Sequence, residues 1–298
     1  MNRLGLRPHQ PGDTPGPRSV PVSIVVLTRD EELNIRHCLN SLTWAGQVVV
    51  VDSGSMDDTV PIARSYGAEI VEQTWLGFSA QREFALRLPL LQHDWVYFVD
   101  GDQWISPQLA AEVAARLEKP ACAAYAHRFR LVFEGTWIRH CGWYSGSWNV
   151  QLMDRRYCKY DGNLVGERVC VDGATHRLRH DIVDDNHKGL AAWLHKHVGY
   201  AELEATQRRQ PPSLPARIRA VKARGDVRPL PRAVLKDVLF PSIPAKPLAL
   251  FFYMYVARLG LLDGRPGLHF CYFHAWYEVC VAALRAESAA LTESRSDG

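Results

Sequence analysis

Two carboxylates separated by one glycine follow a short apolar run, and acids in this arrangement can bind a cation. The run is Trp95–Val99, and Asp100, Gly101 and Asp102 come directly after it. Five apolar residues of mainly aromatic and β-branched type predict a buried strand. Ligands of open α/β sheets bind outside the carboxyl ends of the strands. Carboxylate oxygens suit hard divalent ions, so the pair indicates Mg²⁺ or Mn²⁺. A plain Asp-Gly turn is the alternative.

Two earlier apolar runs also end in polar residues. The first ends at Thr28, three residues before Glu31, and the second ends at Asp52, directly before Ser53. The carboxyl ends of neighbouring parallel strands meet at one edge of a sheet. We therefore expect these side chains to lie close to the Asp100–Asp102 segment, in a single crevice.

The order of the elements predicts the fold class. Strand patterns alternate with helical patterns through the first 117 residues. This alternation is typical of βαβ units, and hence of a mostly parallel sheet flanked by helices. Neither Gly-x-Gly-x-x-Gly nor Gly-x-x-x-x-Gly-Lys-Ser/Thr follows the first strand, which argues against a dinucleotide-binding dehydrogenase and a P-loop NTPase. Acids line the expected site instead, which suits a nucleotide whose base and ribose contact carboxylates and whose phosphates contact a metal.

Four segments of the chain resemble the successive motifs of family 2 glycosyltransferases, in the family's order. The segments are residues 24–32, 50–59, 77–82 and 99–102. The resemblance implies an inverting enzyme with the GT-A nucleotide-sugar-binding fold. It is strongest to bacterial enzymes that assemble lipopolysaccharide core, capsule and exopolysaccharide.

The resemblance also implies a role for each motif residue. Thr28 and Glu31 would lie in the first nucleotide loop, and Asp52 with Ser53 would receive the base. Arg82 would lie near the nucleotide or its phosphates. Asp100 would contact the ribose or the metal, and Asp102 would bind the metal.

An inverting transfer is a single displacement, so the acceptor hydroxyl must lose its proton to a base as it attacks. Residues 151–156 and 165–169 resemble the region that carries this base in the family, with Gly166 where relatives have histidine. Glu167 is the first candidate and Asp154 the second. An ion pair with a neighbouring arginine is the alternative for Glu167.

Two further features of the second half have a functional and a structural interpretation. His187 is a candidate third ligand for the metal or the diphosphate, and a purely structural histidine is the alternative. Four aromatic residues in a glycine-rich segment could form a platform on which an acceptor sugar stacks, or could pack in the core. These residues are Trp137, Trp143, Tyr144 and Trp148.

Composition narrows the class of protein. A net charge of +3 over 298 residues is too small to indicate a nucleic-acid partner. The seven cysteines are scattered without a Cys-x-x-Cys, which argues against a zinc site and fits reduced thiols in the cytosol. Residues 1–19 have no apolar core of the signal-peptide type.

The C-terminal third changes character. A segment rich in arginine and proline precedes two apolar stretches, of which the first is cut by Arg258 and the second by Glu278. A membrane-spanning helix needs about 20 apolar residues. The stretches therefore predict a helical hairpin lying on an anionic membrane surface, and a helical cap or an oligomer interface is the alternative.

The predicted organisation has five parts. They are a disordered tail (1–20), a GT-A catalytic domain (21–206), a basic linker or amphipathic segment (207–246), an apolar helical hairpin (247–288) and a second disordered tail (289–298).

The sequence thus predicts an inverting, metal-assisted glycosyltransferase on the inner face of the bacterial inner membrane. It would move a sugar from a nucleotide-diphosphate sugar donor to a hydroxyl of a lipid-linked, lipopolysaccharide or polysaccharide acceptor. One alternative is a sugar nucleotidyltransferase, although Thr28–Glu32 lacks the glycine-rich, arginine-containing loop which that class needs. The other is a non-catalytic, sugar-nucleotide-binding protein of the membrane surface.

Overall fold

The computed structural model of the chain describes residues 20–146, 148–161, 169–207 and 246–296. The chain divides into two compact units, Met1–Ala192 and Trp193–Gly298. Apart from Val20, Gln207 and Lys246, the predicted tail 1–20 and the basic segment 207–246 lie outside the described residues.

The first unit alternates strands and helices through its first half, as the sequence predicts. Its elements up to the fourth helix are β1 (Val20–Thr28), α1 (Ile35–Asn40), β2 (Ala45–Asp52), α2 (Thr59–Ser65), β3 (Glu69–Glu72), α3 (Phe78–Leu86), β4 (Trp95–Asp100), β5 (Gln103–Trp104) and α4 (Pro107–Glu118). Strands then predominate: β6 (Ala124–Phe133), β7 (Thr136–Trp137), a 3₁₀ turn (Tyr144–Gly146), β8 (Trp148–Asp154), β9 (Cys158–Tyr160), β10 (Val169–Val171), β11 (Thr175–Arg177) and β12 (Ile182–Asp185).

Ten of these strands form one mixed sheet, whose main path runs β3-β2-β1-β4-β8-β6-β12-β5. The pairs β3-β2, β2-β1 and β1-β4 are parallel, whereas β8 is antiparallel to both β4 and β6. The chain order reverses between β1 and β4, and such a switch point is where open α/β sheets bind ligands. The strands β9 and β10 form a separate antiparallel pair.

Strand β1 is covered by hydrophobic core on both of its faces. Its side chains alternate between two cores: Ile24 and Val26 pack in one cluster, and Val25 packs in the other. All three are fully buried. Strands buried on both faces are continuous apolar runs rather than alternating ones, which explains the apolar sequence of this strand.

The described part of the second unit is helical. The unit boundary falls inside α5 (Gly189–Gln207). The next described elements are α6 (Lys246–Phe252), a π-helical turn (Tyr253–Ala257), a 3₁₀ turn (Gly260–Asp263) and α7 (Gly264–Ser296). Within this unit the Tyr277 hydroxyl donates to Glu204 over 2.9 Å, and Lys246 pairs with Glu278. Among the described residues, no helix is both long and apolar enough to cross a bilayer. Helix α7 includes residues of the predicted tail 289–298.

Candidate active site

Three parallel strands deliver polar residues to one edge of the sheet. Thr28 of β1 lies opposite Asp52 of β2, and Leu27 lies opposite Asp100 of β4. The backbone N–H of Gly101 donates to the Leu27 carbonyl over 3.1 Å. The structure therefore brings the three strand ends together at the switch point, as the strand pattern predicts.

Asp52 is buried, and its carboxylate holds the turn after β2. One oxygen accepts from the Thr28 hydroxyl at 3.0 Å and from the Ser55 hydroxyl at 2.5 Å. The other accepts from the backbone N–H groups of Gly54 and Ser55. Four donors occupy nearly all of the lone-pair sites of a carboxylate. In this conformation Asp52 therefore shapes the loop.

Ser53 connects this loop to helix α3. Its backbone N–H donates to the Thr28 carbonyl at 2.9 Å, and its hydroxyl accepts from the Gln81 amide at 3.2 Å. The next residue of the helix, Arg82, forms an ion pair with Asp100 at the end of β4. Its Nη2 lies 2.8 Å from Oδ1 of Asp100, and its guanidinium lies 5.5 Å from the ring centroid of Phe98. Helix α3 thus contacts the ends of both β2 and β4.

Gly101 allows the loop after β1 to approach the end of β4 closely. A Cβ at this position would lie 2.8 Å from Cγ of Glu31 and 3.2 Å from Cγ2 of Thr28. These distances are shorter than van der Waals contact, so only glycine fits without a shift. The glycine between the two acids is therefore a packing requirement as well as a turn residue.

Glu31 lies at the centre of a polar network between distant parts of the chain. Lys188 Nζ lies 2.6 Å from its Oε1, and the Asn34 amide donates to its Oε2 at 2.7 Å. Burial raises the pKa of Glu31, the nearby negative charge of Asp102 adds to the rise, and Asn34 and Lys188 oppose it. The segment after β12 is thereby attached to the loop after β1.

Asp102 is also held by the segment after β12. The Asn186 amide donates to its Oδ2 at 2.9 Å, and its backbone carbonyl accepts from the N–H of Asp185 at 3.0 Å. The adjacent His187 donates its backbone N–H to Asn34, and its Nε2 lies 3.3 Å from Oδ2 of Asp185. An open pocket of about 380 Å³ lies here, and its lining residues are Val132, Gly135, Asp185, Asn186 and His187.

The predicted metal ligands are only partly assembled. Within the described residues, no three acidic, histidine or cysteine side chains are grouped closely enough to hold a metal ion. Asp100 is engaged by Arg82 and by the Gln103 amide, and the imidazole of His187 faces Asp185. The negative charge of Asp102 helps to raise the pKa of Glu31, so negative charge is concentrated here. Oxygen ligands with excess negative charge fit a hard divalent cation.

The loops after β1 and β2 are bound to each other by a run of hydrogen bonds. The N–H of Asp30 donates to the Ser55 hydroxyl, and the N–H of Met56 donates back to the Asp30 carboxylate, both at 2.8 Å. The N–H of Glu32 donates to Asp57, which also accepts from the N–H of Thr59 at the start of α2. Asp57 therefore helps to order the start of α2 and also joins the two loops.

The two candidate bases differ in where they lie. Glu167, with the preceding Gly166, lies outside the described residues. Asp154 ends β8 and pairs in register with Trp95, the first residue of β4. It is therefore about 17 Å along the strand from Asp100. Its carboxylate accepts from Arg156 at 2.6 and 2.9 Å, and the structure does not bring it to the edge that carries the other site residues.

Sequence reasoning missed the partners that hold the site acids. Asn186 and Lys188 flank His187 and contact Asp102 and Glu31, and Asn34 joins the same network. The polar run after β12 was a signal for them, because it also follows the end of a strand. Strand β12 belongs to the second half of the sheet. The polar run after β12 lies near the end of β4 because β12 pairs with β5, which follows β4 directly in the chain.

A comparison with protein families identifies the class. The model of the family described as glycosyl transferase family 2 matches residues 23–178, which is more than half of the chain. The chain belongs to this family, and its first unit has the GT-A fold. This result confirms the resemblance that the four motifs carry.

The curated relatives match over a shorter part of the chain. An uncharacterized glycosyltransferase of Rickettsia typhi is 37% identical over 93 residues, which cover 31% of each protein. A lipopolysaccharide core biosynthesis glycosyltransferase, LpsC, of Rhizobium meliloti is 28% identical over 95 residues, which cover 30% of this chain and 34% of that protein. The matched part thus spans about a third of the length of these relatives.

Solved structures match the chain over a similar share. Glucosyl-3-phosphoglycerate synthase of Mycobacterium tuberculosis, with Mn²⁺ and uridine diphosphate, is 23% identical, with a TM-score of 0.33. The match covers 38% of this chain and 44% of that one. Staphylococcus aureus TarS, in complex with uridine diphosphate, is 26% identical with a TM-score of 0.32, over 37% and 36% of the two chains.

Proposed function

We propose that this protein is an inverting glycosyltransferase that moves a sugar from a nucleotide-diphosphate sugar to an acceptor hydroxyl. One observation carries the proposal: the ends of β1, β2 and β4 bring Thr28, Asp52 and Asp100 to the switch point of a sheet in a family 2 glycosyltransferase. Donors of this class combine a base, a ribose and a diphosphate, which need polar and acidic partners at one edge.

In this proposal the donor lies across that edge. Asp52 and Ser53 order the loop that receives the base, and Thr28 and Glu31 belong to the first nucleotide loop. Asp100 contacts the ribose or the metal, and Asp102 binds the metal at the diphosphate. Arg82 neutralises Asp100 beside the phosphates, which limits repulsion between two anions.

Asp102 would bind Mg²⁺ or Mn²⁺, with Asp100 and His187 as further candidate ligands. Mg²⁺ is often held by one or two carboxylates together with substrate phosphates, rather than by a complete protein cage. An incomplete ligand set around Asp102 is therefore compatible with a metal that arrives with the donor. When bound, the ion would stabilise the charge that develops on the leaving diphosphate.

We assign the catalytic base to Glu167 in preference to Asp154. The acceptor hydroxyl must give up its proton on the face of the sugar opposite the leaving group. Asp154 is paired with the Arg156 guanidinium and lies at the other end of β4, and this placement supports the choice of Glu167.

We further propose a lipid-linked, lipopolysaccharide or polysaccharide acceptor and a position on the inner face of the bacterial inner membrane, with the domain boundaries given above. Support comes from apolar side chains that are exposed in the second unit: Leu248, Phe252, Leu259, Leu262 and Tyr272 are each at least half exposed. Exposed apolar groups that follow a basic segment in the sequence suit an anionic lipid surface. The relative from Rhizobium meliloti, named for lipopolysaccharide core biosynthesis, supports the acceptor class.

The test of the catalytic proposal is release of nucleoside diphosphate from a panel of sugar nucleotides, with and without Mg²⁺ or Mn²⁺. We expect metal-dependent release, with a loss of roughly a hundredfold or more in Asp102→Ala. Asp94→Ala is the matched control, because Asp94 is an exposed acid that pairs with Arg156 near the opposite end of β4. Full activity of Asp102→Ala would refute the assignment of the metal.

The test of the membrane proposal is co-sedimentation of the full chain with anionic and neutral vesicles. We expect binding to the anionic vesicles that weakens with salt. Replacing Leu248 and Phe252 with serine should weaken binding without changing nucleotide release in detergent. Equal recovery with and without vesicles would contradict an interfacial role.

A further inference from the structure

A group of arginines lies over aromatic rings in the second half of the sheet, and these rings include three of the four aromatic residues that the sequence offers as a sugar platform. We call it the arginine–aromatic cluster; its members are Arg128 and Arg130 of β6, Arg177 of β11, and the rings of Trp137, Tyr144 and Trp148. Arg128 lies 4.3 Å from the ring centroid of Tyr144 and 5.0 Å from that of Trp148. Arg130 lies 4.3 Å from the Trp137 centroid, and Arg177 lies 4.6 Å from that of Trp148.

Stacking of this kind orients a guanidinium without using its hydrogen bonds. The ring contacts the flat face, whereas the five N–H donors of an arginine point outward in the plane of the group. Planar forks held in this way match phosphate and carboxylate oxygens, which they bind by two parallel hydrogen bonds. Arg128 and Arg177 contact the same indole ring, so two such groups are held near each other.

One buried acid accompanies the cluster. Asp181 lies 3.5 Å from both Arg128 and Arg130 and accepts a 2.8 Å hydrogen bond from the Tyr144 hydroxyl. The contact of Arg128 is made by its buried Nε, which lies at ion-pair distance from Oδ1 of Asp181 without forming a hydrogen bond. Arg177 is exposed, and no carboxylate of the described chain lies within ion-pair distance of it. Asp181 thus pairs with the two arginines of β6, whereas the exposed Arg177 lies over Trp148 and offers its N–H donors to solvent.

The cluster lies next to the pocket beside Asp102. Side chains two residues apart on a strand share a face, so Arg128, Arg130 and Val132 point to the same side of β6. Val132 lines the pocket and pairs with Trp137 of β7. Arg130 is therefore about 7 Å along the strand from a residue of the pocket wall.

We propose that the arginine–aromatic cluster binds an anionic group, phosphate or carboxylate, on the saccharide that accepts the transferred sugar. The inference rests on the proposed glycosyltransferase function. Aromatic rings supply apolar faces for a sugar ring, and the arginine edges supply paired donors for its anion. The neighbouring pocket would hold the hydroxyl that reacts. The acceptor is thus a charged sugar rather than a neutral one.

The experiment compares glucose, glucose 6-phosphate and glucuronate as probes, with binding to the full chain measured by saturation-transfer NMR and titration. We expect both charged sugars to bind at least about tenfold more tightly than glucose, because charge-assisted hydrogen bonds contribute most of the affinity. Arg177→Gln should weaken the charged sugars roughly tenfold, and Arg177→Glu should weaken them further. Arg177 is exposed, so both variants should fold. Arg64→Gln, an exposed arginine of α2, is the control and should bind like the wild type.

Binding of a nucleoside diphosphate with Mg²⁺ is measured in parallel and separates this inference from the proposed function. Intact nucleotide binding with loss of the charged sugars in Arg177→Gln supports the cluster as an acceptor site. Equal binding of glucose and glucose 6-phosphate, or unchanged binding in both Arg177 variants, would overturn it. So would loss of nucleotide binding in Arg177→Gln, since the cluster would then serve the donor. Failure of the wild type to bind any nucleoside diphosphate would instead refute the proposed function.

Discussion

Nη2 of Arg82 lies 2.8 Å from Oδ1 of Asp100, and this ion pair joins helix α3 to the strand that carries the site acids. The Arg82 side chain is 11% exposed and that of Asp100 is 33% exposed, so the pair is partly shielded from water. Two motifs that are 18 residues apart in the sequence thus meet through one contact. The charge of Asp100 is neutralised next to the position proposed for an anionic donor.

Removal of this pair should impair both folding stability and nucleotide binding. Arg82→Gln is expected to lower the free energy of unfolding by about 1–3 kcal/mol, because a partly buried carboxylate loses its charged partner. Binding of nucleoside diphosphates should weaken roughly tenfold. Urea unfolding and calorimetric titration measure the two effects. Arg64→Gln is the control, and equal nucleotide binding in the two variants would contradict this role of Arg82.

Adding one methyl group at Gly101 should disturb the loop after β1, which is proposed to bind the nucleotide. The new Cβ would lie 2.8 Å from Glu31 Cγ, and Glu31 cannot easily move away because Lys188 and Asn34 hold it. We expect Gly101→Ala to destabilise the fold by about 1–3 kcal/mol and to weaken nucleotide binding. In Gly199→Ala no atom beyond the adjacent helix backbone lies within 4 Å of the new Cβ, and helix α5 should gain up to about 1 kcal/mol. Similar losses in both variants would contradict the packing argument.

Lys188 should matter more at neutral pH than in acid. Burial and the charge of Asp102 raise the pKa of Glu31 above its ordinary 4.5, and Lys188 opposes the rise. A raised carboxyl pKa favours the folded state at low pH, and that contribution is lost as pH rises through the folded pKa. Lys188→Met should raise the pKa of Glu31 further.

We therefore expect Lys188→Met to destabilise the protein by about 1–3 kcal/mol near pH 7.5 and by much less near pH 4.5. Urea unfolding at the two pH values is the measurement. Adding Glu31→Gln to Lys188→Met should remove most of the pH dependence, since the titrating group is gone. A loss of equal size at both pH values would show that Lys188 acts through packing alone.

His127 should make the fold sensitive to acid. Burial lowers its pKa from the ordinary 6.5 to about 4, and the side chain is fully buried between the rings of Tyr97 and Phe129. A lowered histidine pKa contributes stability above the unfolded value, and this contribution is lost as pH falls from 6.5 towards about 4.

His127→Phe should therefore reduce the loss of stability between these pH values by about 3 kcal/mol. Thermal or urea unfolding across the range measures it. His195→Gln, an exposed histidine on α5, should leave the slope as in the wild type. An unchanged slope in His127→Phe would contradict the burial argument.

The first half of the fold could be predicted well because its signals are local. Each of β1, β2 and β4 is a continuous apolar run that ends in a polar residue, and parallel pairing then places Thr28, Asp52 and Asp100 at one edge. The glycine of the Asp100–Asp102 segment was predicted as a turn residue. Its closeness to Glu31 is a contact between loops, which periodicity does not show.

The second half was less predictable because it depends on strand direction and long-range pairing. Asp154 ends a strand as Asp100 does, but β8 runs antiparallel to β4, so its end lies at the opposite edge. The contacts from Asn186 and Lys188 to the first loop join residues about 150 positions apart. No local pattern indicates such a contact. The roles of Glu167 and His187 stay predictions.

The hydrogen bonds between the loops after β1 and β2 limit how these loops can change in length. The backbone N–H of Asp30 donates to Ser55, and that of Glu32 donates to Asp57. The donors and the acceptors are thus both two residues apart, so the hydrogen bonds fix the register of the two loops. An insertion in one loop would shift every later donor away from its acceptor in the other. Paired insertions would be needed to restore the match. If these loops bind the donor as proposed, we expect engineered donor specificity to come from exchanging both loops together, because exchange of a single loop would break the hydrogen bonds between them.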